Sequence, residues 1–415
     1  MRVVVVGAGG VGSAFVRIAS RRDAIEHIVV ADIDIRRAER AAQTAARKSR
    51  RRTVTATTVD ASSIESVAEL ARASRADIIL NACAPRFNPG IFEGAFVAGV
   101  NYLDMAMHVS VPHPQRPFND VGVLLGHEQL AASDNWEERG QLAIVGMGVE
   151  PGFSDVVARY ASDHLFSRID EIGVRDGADL VVDGYHFAPT FSIWTTIEEC
   201  LNPPIVYERE RGWFTTAPFS EPEVFPFPEG IGPLSCVNVE HEEVVLMPRW
   251  LDVGRVTFKY GLGQEFIDVL QTLHKLGLDG TAPVMVSDAA VSPRDLLAAV
   301  LPDPAALGKD MRGRTCAGSW VRGAGPDGED RSIYLYHVVD NAWSMREFGH
   351  QAVVWQTAVM PAVAIEMLAT GAWSGAGVLG PEAFSADPFL ELLDEQGVEW
   401  EWDDWPAPVP AGASH

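Results

Sequence analysis

Three glycines near the start of the chain have the spacing of a phosphate-binding turn. Val3 to Val6 are four consecutive β-branched residues, a composition typical of a strand buried on both faces of a parallel sheet. This strand runs into a turn that contains Gly7, Gly9 and Gly12, and a segment with helical spacing of apolar residues follows. Gly7 would make the tight turn, Gly9 would let the backbone approach a pyrophosphate, and Gly12 would let the helix pack closely on the strand.

An acidic residue follows the next predicted strand at the distance that such a turn requires. The strand from Ile28 to Ala31 ends at Asp32, about 20 residues after the last glycine, where a carboxylate hydrogen-bonds the ribose hydroxyls of an adenosine. The N–H groups of Gly10 and Val11, at the start of the helix, would receive the charge of the pyrophosphate. Strand, glycines and acid together predict a dinucleotide-binding domain of the Rossmann type, with NAD or NADP as the cofactor.

The choice between NAD and NADP depends on charge near the adenosine ribose. Asp32 would repel the 2′-phosphate of NADP, whereas Arg36 and Arg37, four and five residues later, could attract it. We favour NAD by a narrow margin and leave NADP open.

The next three predicted strands end in residues that could line a ligand crevice. The loops that follow the carboxyl ends of parallel strands form such a crevice. For the two aspartates among these residues, a helix cap is an equally supported role. The prediction places Asp60, Ala61, Asn81 and Ala82 at the cofactor, and Asp104 at the crevice as a candidate catalytic group.

Composition and charge argue against several classes of partner. The chain has 415 residues, a net charge of −24 and a pI near 4.8, so it would repel nucleic acid phosphates and an anionic membrane surface. Its four cysteines form no Cys-x-x-Cys pair, which indicates neither a metal site nor a disulfide framework. The apolar run at the N-terminus is too short for a signal peptide or a membrane span. We expect a cytoplasmic protein with no nucleic acid or membrane partner and no bound metal.

Six segments spread along the chain resemble the saccharopine dehydrogenase-like family, and together they are far more specific than the glycines alone. They are Gly-Ala-Gly-Gly-Val-Gly at 7–12, Ile-Leu-Asn-Ala-Cys-Ala-Pro at 79–85, Gly-Val-Asn-Tyr-Leu-Asp at 99–104, the strand-turn-helix segment at 141–154, Gly-Val-Leu-Gly-Pro-Glu at 377–382 and Asp-Pro-Phe-Leu at 387–390. Within the family, the region from 197 to 243 is most similar to carboxynorspermidine dehydrogenases. The resemblance spans nearly the whole chain.

The resemblance implies an enzyme that transfers a hydride at a carbon–nitrogen bond. Members of the family form or oxidise a secondary amine that joins an amino-acid-derived semialdehyde to an amine, so the implied substrate is a small amino-acid-derived molecule. The family also implies a homodimer. This chain departs from the family in a segment rich in proline and histidine, His108 to Gly126, which leaves the identity of the substrate open. A regulator that senses NAD(P) without turnover, and a dehydrogenase for another small polar substrate, are the alternatives.

The length and the apolar pattern predict an α/β protein with more than one domain, since single cores stop growing at about 300 residues. We predict a doubly wound parallel sheet over residues 1–150 and a second, α+β domain for substrate and dimerisation over 151–350. Helices over 351–400, broken near Pro361, would pack back on the first domain, and a tail over 401–415 would fray. The glycine-rich stretch from Gly323 to Gly328 predicts a β-hairpin turn.

Reducing an imine or oxidising an amine requires a proton-transfer group as well as a nicotinamide. His186, in a segment rich in aromatic and hydroxyl residues, is the first candidate for this role, and His241, beside two glutamates, is the second. For both, a hydrogen-bonded structural histidine is the alternative.

The second domain also offers residues that could hold a charged substrate. For each of them the alternative is an ordinary place in the core or on the solvated surface. The candidates are Glu150 and Ser154 around a Glu-Pro-Gly turn, Trp194, Glu198 with its neighbour Glu199, and, as carboxylate clamps, Arg175, Arg255 and Lys259.

Overall fold

A sheet of seven parallel strands forms the first layer of the fold. The computed structural model describes residues 1–46, 53–185 and 187–411. Six strands are β1 (Arg2–Val6), β2 (His27–Asp32), β3 (Thr53–Thr58), β4 (Ile78–Asn81), β5 (Asn101–Asp104) and β6 (Leu142–Ile144). The seventh strand, Gly377–Leu379, lies at one edge, and the order from there is β6, β5, β4, β1, β2, β3. The predicted α/β fold with a doubly wound parallel sheet is confirmed.

Helices cover this sheet because its central strands are apolar on both faces. The four valines of β1 are buried, as predicted. The first helix begins directly after the glycine turn, and Phe15 and Val16 on it are buried. The helices of this part of the chain are α1 (Gly10–Ala19), α2 (Ile35–Ala46), α3 (Ile64–Ser74), α4 (Asn88–Ala98), α5 (His127–Ala131) and α6 (Ser133–Glu138).

A mixed sheet of ten strands forms the second layer. The described strands from residue 168 to 340 are β7 (Arg168–Ala178), β8 (Val181–Val182), β9 (Ile205–Glu208), β10 (Gly212–Thr215), β11 (Glu223–Phe227), β12 (Gly232–Asn238), β13 (Val253–Gly261), β14 (Val284–Val286), β15 (Ala289–Val291), β16 (Met311–Arg312), β17 (Arg314–Ala324) and β18 (Asp330–Asp340). Four of these lie in two small two-stranded sheets, β8 with β16 and β14 with β15, and the others belong to the ten-stranded sheet. β7 and β13 pair in parallel, whereas β17 pairs antiparallel with β7 and with β18. The hairpin predicted at 323–328 joins β17 to β18.

The second sheet carries its own helices, and the chain then returns to the first sheet. The helices are α7 (Phe153–Tyr160), α8 (Ile193–Leu201), α9 (Glu243–Trp250), α10 (Gln264–Lys275), α11 (Pro293–Val300), α12 (Asn341–Glu347), α13 (Ala352–Thr370) and α14 (Asp387–Glu395). The last strands are β19 (Gly377–Leu379), β20 (Glu401–Asp404) and β21 (Val409–Pro410). The predicted return thus contributes a strand as well as helices to the first domain.

The break predicted near Pro361 was wrong, because α13 continues through this residue to a C-cap at Gly371. Pro361 is buried among apolar neighbours on α13, so packing against α1 compensates for the backbone hydrogen bond that proline cannot donate. Among the described residues, α13 is the one helix long and apolar enough to cross a membrane, and 72% of its apolar window is buried inside the protein.

The prediction that the chain frays from residue 401 was also wrong for residues up to 411. β20 pairs with β18, and β21 pairs with β11. Trp405 packs on Phe225 and Tyr334 and donates its indole N–H to the carbonyl oxygen of Pro226. The segment from residue 401 to 411, whose composition is typical of a solvated tail, is therefore held by the edges of the second sheet.

Two of the three predicted carboxylate clamps are part of a buried ion network instead. The Arg175 guanidinium donates to Glu223 at 2.6 Å, and the Lys259 ammonium donates to the other oxygen of the same carboxylate at 2.6 Å. Arg175 is 1% exposed. Arg255 bridges Glu208 and Glu221 near the surface. All three basic groups already have acidic partners within the chain, so none is free to clamp a substrate.

We expect Arg175→Met to lower the free energy of unfolding by about 3–5 kcal/mol, because it removes one partner from a buried ion network. Urea denaturation measures this change. The matched control is Arg312→Met, which breaks an exposed pair with Asp183 and should cost at most about 1 kcal/mol. Equal losses for the two variants would contradict the burial argument.

Candidate active site

A cavity of about 460 Å³ lies where the two sheets face each other. The first domain contributes the start of α1 and the loop after β4 to its wall, and the second domain contributes the carboxyl ends of β7 and β13. Lining residues from the first domain include Gly10, Val11, Asn81 and Ala82, and those from the second include Glu150, Asp176, Glu199, His241, Glu242 and Tyr260. A parallel sheet that ends in a glycine turn beside a cavity is the arrangement that binds a dinucleotide.

Among the three glycines of the phosphate-binding pattern, Gly9 is the one that borders open space. A Cβ atom on Gly7 would lie 2.6 Å from the Ala82 carbonyl oxygen, and one on Gly12 would lie 2.0 Å from the Gly7 carbonyl oxygen. A Cβ on Gly9 would meet nothing within 4 Å. Gly7 and Gly12 are therefore required by the protein's own packing, whereas Gly9 borders open space of the kind that a pyrophosphate would fill. The residues present fit a nicotinamide dinucleotide.

Asp32 is held in a fixed position at the end of β2. Its carboxylate accepts hydrogen bonds from the Ala8 N–H at 2.8 Å and the Asp34 N–H at 2.9 Å, and the residue is 8% exposed. Each oxygen keeps a lone pair that could accept from a ribose hydroxyl. The Arg36 guanidinium is bound by Asp34 at 2.9–3.0 Å. The sequence alone did not indicate that this arginine is already paired.

A second, smaller pocket of about 190 Å³ lies beside Ala8. Arg37 and Arg40 of α2 line it together with Ser13 and His350. Because the Ala8 N–H binds Asp32, these basic groups lie near the carboxylate that is predicted to bind the adenosine ribose.

Other predicted cofactor residues have local roles that the structure defines. The Asn81 side chain donates to Asn88 and to the Tyr102 hydroxyl, and it accepts from the Cys83 N–H, so it shapes the loop at the cavity wall. Asp60 accepts from the N–H and hydroxyl of Ser62 in the turn before α3. Neither Asp60 nor Ala61 lines the cavity, and their contact with an adenine stays a prediction.

Asp104, predicted as a catalytic candidate, lies in the core rather than in the cavity wall. Its carboxylate accepts from the Tyr102 hydroxyl, the Gln129 amide and the Gly146 N–H, all at 2.8–2.9 Å. Burial raises the pKa of Asp104 to about 7. The group links β5 to the chain after β6, and the next two residues along the chain line the cavity.

His241 is held by two contacts that orient its ring at the cavity wall. The ring stacks on Phe258 with centroids 3.7 Å apart, and Nδ1 lies 2.5 Å from a carboxylate oxygen of Glu243. The other oxygen of Glu243 accepts from the Ser154 hydroxyl at 2.8 Å. Burial lowers the pKa of His241, although the nearby Glu242 and Asp176 carboxylates oppose this effect. Nε2 is left as the ring nitrogen that could act on a ligand.

Carboxyl groups surround the histidine without basic partners. Glu150 and Asp176 face each other closely enough to require a proton between them, and Glu150 Oε2 is buried with no hydrogen-bond partner among the described residues. Burial raises the pKa of Asp176 to about 6 and that of Glu242 to about 7. Burial and neighbouring carboxylates raise the pKa of Glu199 well above its usual value. The cavity wall is thus built to receive positive charge.

Only some of the predicted substrate-binding residues line the cavity. Glu150 lines the cavity, whereas Ser154 lies fully buried behind His241. Trp194 is stacked between two guanidinium groups, and Glu198 binds one of these, Arg294, at 3.2 Å. Neither Trp194 nor Glu198 lines the cavity, but Glu199, the next residue on α8, does. His186 lies outside the described residues.

Sequence reasoning missed Asp176 and Tyr260. They are partners in the parallel register of β7 and β13, at the ends of these strands that reach the cavity. Each is separated from a short apolar run by one basic residue, which gives a weak signal for a strand end, and only the pairing of the two strands brings them together.

The segment rich in proline and histidine folds against the second domain near this wall. Val111 and Val123 form an isolated antiparallel bridge within it, and the Asp120 carbonyl oxygen accepts from the Thr215 hydroxyl. Ser110 is hydrogen-bonded to Glu240, the residue before His241. The segment therefore supports the loop that carries His241, between β12 and α9, from outside the cavity.

His241, Glu242 and Glu243 place their polar atoms within 4.8 Å of one another, a spacing that a metal ion could use. His241 Nδ1 and Glu243 share a proton in a short hydrogen bond, and this bond explains why the polar atoms lie so close together.

Comparisons with known proteins agree with these features. Two family models cover the chain: "Saccharopine dehydrogenase NADP binding domain" matches residues 3–144, and "Saccharopine dehydrogenase C-terminal domain" matches residues 148–398. The carboxynorspermidine synthase of Vibrio alginolyticus is 29% identical over 406 residues, which is 96% of each chain. The carboxyaminopropylagmatine dehydrogenase of Synechocystis sp. is 29% identical over 400 residues, again 96% of each. The solved structure of apo saccharopine dehydrogenase (L-Glu forming) from Saccharomyces cerevisiae has a TM-score of 0.69 at 13% identity, covers 98% of this chain and 100% of its own, and shows the same fold.

We expect Gly9→Val to weaken dinucleotide binding at least 100-fold, because the added side chain would fill the space left for the pyrophosphate. Titration calorimetry with NADH and NADPH measures the loss. The backbone of Gly9 is extended, so the variant should keep the melting temperature of the parent protein. Gly12→Ala is the contrasting variant, since its Cβ would collide with the chain itself and lower that temperature. Undiminished binding by Gly9→Val would argue against the predicted cofactor position.

Proposed function

Because this chain belongs to the saccharopine dehydrogenase family of NAD(P)-dependent oxidoreductases, we propose that it transfers a hydride at the carbon–nitrogen bond of a secondary amine. In the reductive direction, an amino-acid-derived semialdehyde and a primary amine would be joined. The observation that carries this proposal is a histidine and several carboxyl groups without basic partners, which face the glycine turn across one cavity.

The charge of the cavity wall favours an amine as the second substrate. Glu150, Asp176, Glu199 and Glu242 line the cavity, and burial raises the pKa of each. An ammonium group that enters would stabilise their ionised forms, so it would bind with release of protons. Two relatives have names that refer to carboxynorspermidine and carboxyaminopropylagmatine, and both names denote amines. We propose a diamine or a guanidino amine as the amine substrate.

The proton balance of this reaction shows which proton a side chain must supply. One aldehyde and one ammonium form a secondary ammonium and water, with the uptake of one hydride and one proton. The nicotinamide supplies the hydride when it is bound. We assign the proton to His241, which would donate it to the hydroxyl group that leaves as water when the imine forms. Because burial lowers its pKa, the ring gives up this proton readily and must be protonated again in every turnover.

We propose NAD rather than NADP as the preferred cofactor. The Asp32 carboxylate is fixed where the adenosine ribose would lie, and the following residue, Ile33, is exposed and offers no side-chain donor. Arg36 is occupied by Asp34. Arg37 is the basic group that could reverse this preference, since it lines the pocket beside Ala8.

Asp32→Asn should shift the ratio of NADPH affinity to NADH affinity by about 10-fold toward NADPH, because it removes the charge that repels a 2′-phosphate with little change in shape. Titration with each cofactor measures the ratio. Arg37→Gln is the control and should leave NADH affinity unchanged. A parent protein that binds NADPH more tightly, and loses this through Arg37→Gln, would contradict the proposed preference.

The expected homodimer follows from the family resemblance, and the cytoplasmic location follows from the composition. Both are part of the proposal, as is the absence of nucleic acid and membrane partners.

His241→Gln should lower kcat by about 10²–10⁴ with no change in cofactor affinity, as the loss of a proton-transfer group does. Steady-state kinetics with pools of semialdehydes and amines, followed through the nicotinamide absorbance, tests this. His274→Gln is the matched control, because His274 is exposed and pairs with Asp279 away from the cavity. The assignment fails if the two variants have the same kcat.

A further inference from the structure

A line of buried polar groups leads from His241 away from the cavity. His241 Nδ1 lies 2.5 Å from Glu243 Oε2, and the Ser154 hydroxyl donates to Glu243 Oε1 at 2.8 Å. The same hydroxyl lies 3.4 Å from Asp155 Oδ2. The Asp155 carboxyl group faces that of Glu382, whose segment packs against α7. Ser154, Asp155, Glu243 and Glu382 are each 0% exposed.

The far end of this line is a pair of carboxyl groups that must share a proton. Asp155 Oδ1 and both carboxyl oxygens of Glu382 are buried and have no donor among the described residues. Two ionised carboxylates repel each other and cannot hydrogen-bond, so the contact between them requires a proton. The Arg159 guanidinium donates to the backbone oxygen of Glu382 and not to its carboxyl group.

We propose that Glu243, Ser154, Asp155 and Glu382 form a proton relay and store that protonates His241 in every turnover. This inference rests on the function proposed above. The four residues act through His241 and touch neither substrate nor cofactor, so they are positioning residues rather than catalytic ones.

The transfer balances with one proton from water for each turnover. When His241 gives its proton to the leaving hydroxyl group, Nδ1 regains one from Glu243 across the 2.5 Å contact. Ser154 then passes its hydroxyl proton to Glu243 and accepts one from Asp155, since a hydroxyl group both donates and accepts. Asp155 regains its proton from Glu382. Four protons each move by one place toward His241, and one negative charge is left on Glu382. Between turnovers His241 Nε2 takes a proton from water in the cavity and each proton on the line moves back by one place, so the store is refilled and the net proton comes from solvent.

The protonation states fit this role. Burial raises the pKa of Glu243 to about 8. Burial and the Glu243 charge raise the pKa of Asp155 well above its usual value, and burial and the Asp155 charge do the same for Glu382. Glu242 also faces Asp155 and Glu243 and repels their ionised forms. Glu150, Asp176 and Glu199 repel the ionised form of Glu243 from the cavity side. Below about pH 8 the line is therefore loaded with protons, and it loses them as the pH rises.

The test uses Glu382→Gln and Asp155→Asn, which keep the size and polarity of each side chain but cannot carry the proton. Glu395→Gln, on the exposed end of α14, is the matched control. We expect kcat in the reductive direction to fall about 10-fold in both relay variants, with KM and cofactor affinity within about twofold of the parent. The loss of kcat at high pH should begin at a lower pH than in the parent, and the solvent isotope effect on kcat should increase.

Infrared difference spectroscopy provides a readout that does not depend on turnover. The parent protein should show the carbonyl band of protonated carboxyl groups at pH 7, and this band should weaken in each relay variant but not in Glu395→Gln. If the parent turns over and the relay variants have the same kcat and pH profile, the relay is wrong while the proposed function stands. If no amine is turned over, the proposed function fails, and the infrared band still decides whether the proton store exists. Absence of the band in the parent at pH 7 would overturn the store even if a variant failed to fold.

Discussion

Burial of carboxyl groups without basic partners is the constraint on which the site depends. The wall of the cavity and the region behind it hold Glu150, Asp176, Glu199, Glu242 and Glu243, and no lysine or arginine of the described residues forms an ion pair with any of them. In a medium of low dielectric constant such groups keep their protons or share them. The same arrangement attracts a cationic substrate, stores protons and fixes the ring of His241.

The rest of the fold serves to keep these groups away from solvent and opposite the cofactor turn. The parallel pairing of β7 with β13 brings their ends to the cavity, and the seven-stranded sheet brings the glycine turn to the facing side. The C-terminal return completes the enclosure, because β19 joins the first sheet and Glu382 follows it directly. The stretch from β19 to Glu382 thus adds a strand to the first domain and a carboxyl group to the buried polar network of the second domain.

The fold was predictable in most of its parts because it depends on local patterns. Four valines in a row, a glycine turn and a helical pattern predict a strand, a turn and a helix, and the structure has them at those residues. The two errors, at Pro361 and in the chain after residue 401, have one cause: tertiary packing overrode a local signal. α13 tolerates its proline because it is buried, and β20 forms because β18 leaves an edge for it to pair with.

The sequence by itself determined the family, the parallel sheet, the dinucleotide turn and the identity of His241 as a candidate, because each depends on residues close together along the chain. Only the tertiary structure decided which acidic residues meet. It placed Asp104 and Ser154 in the interior and brought Glu199 rather than Glu198 to the cavity. It also joined Glu243 to Glu382 across some 140 positions of sequence. Whether a carboxyl group meets solvent, a base or another acid depends on packing between distant segments, and no spacing in the sequence records it.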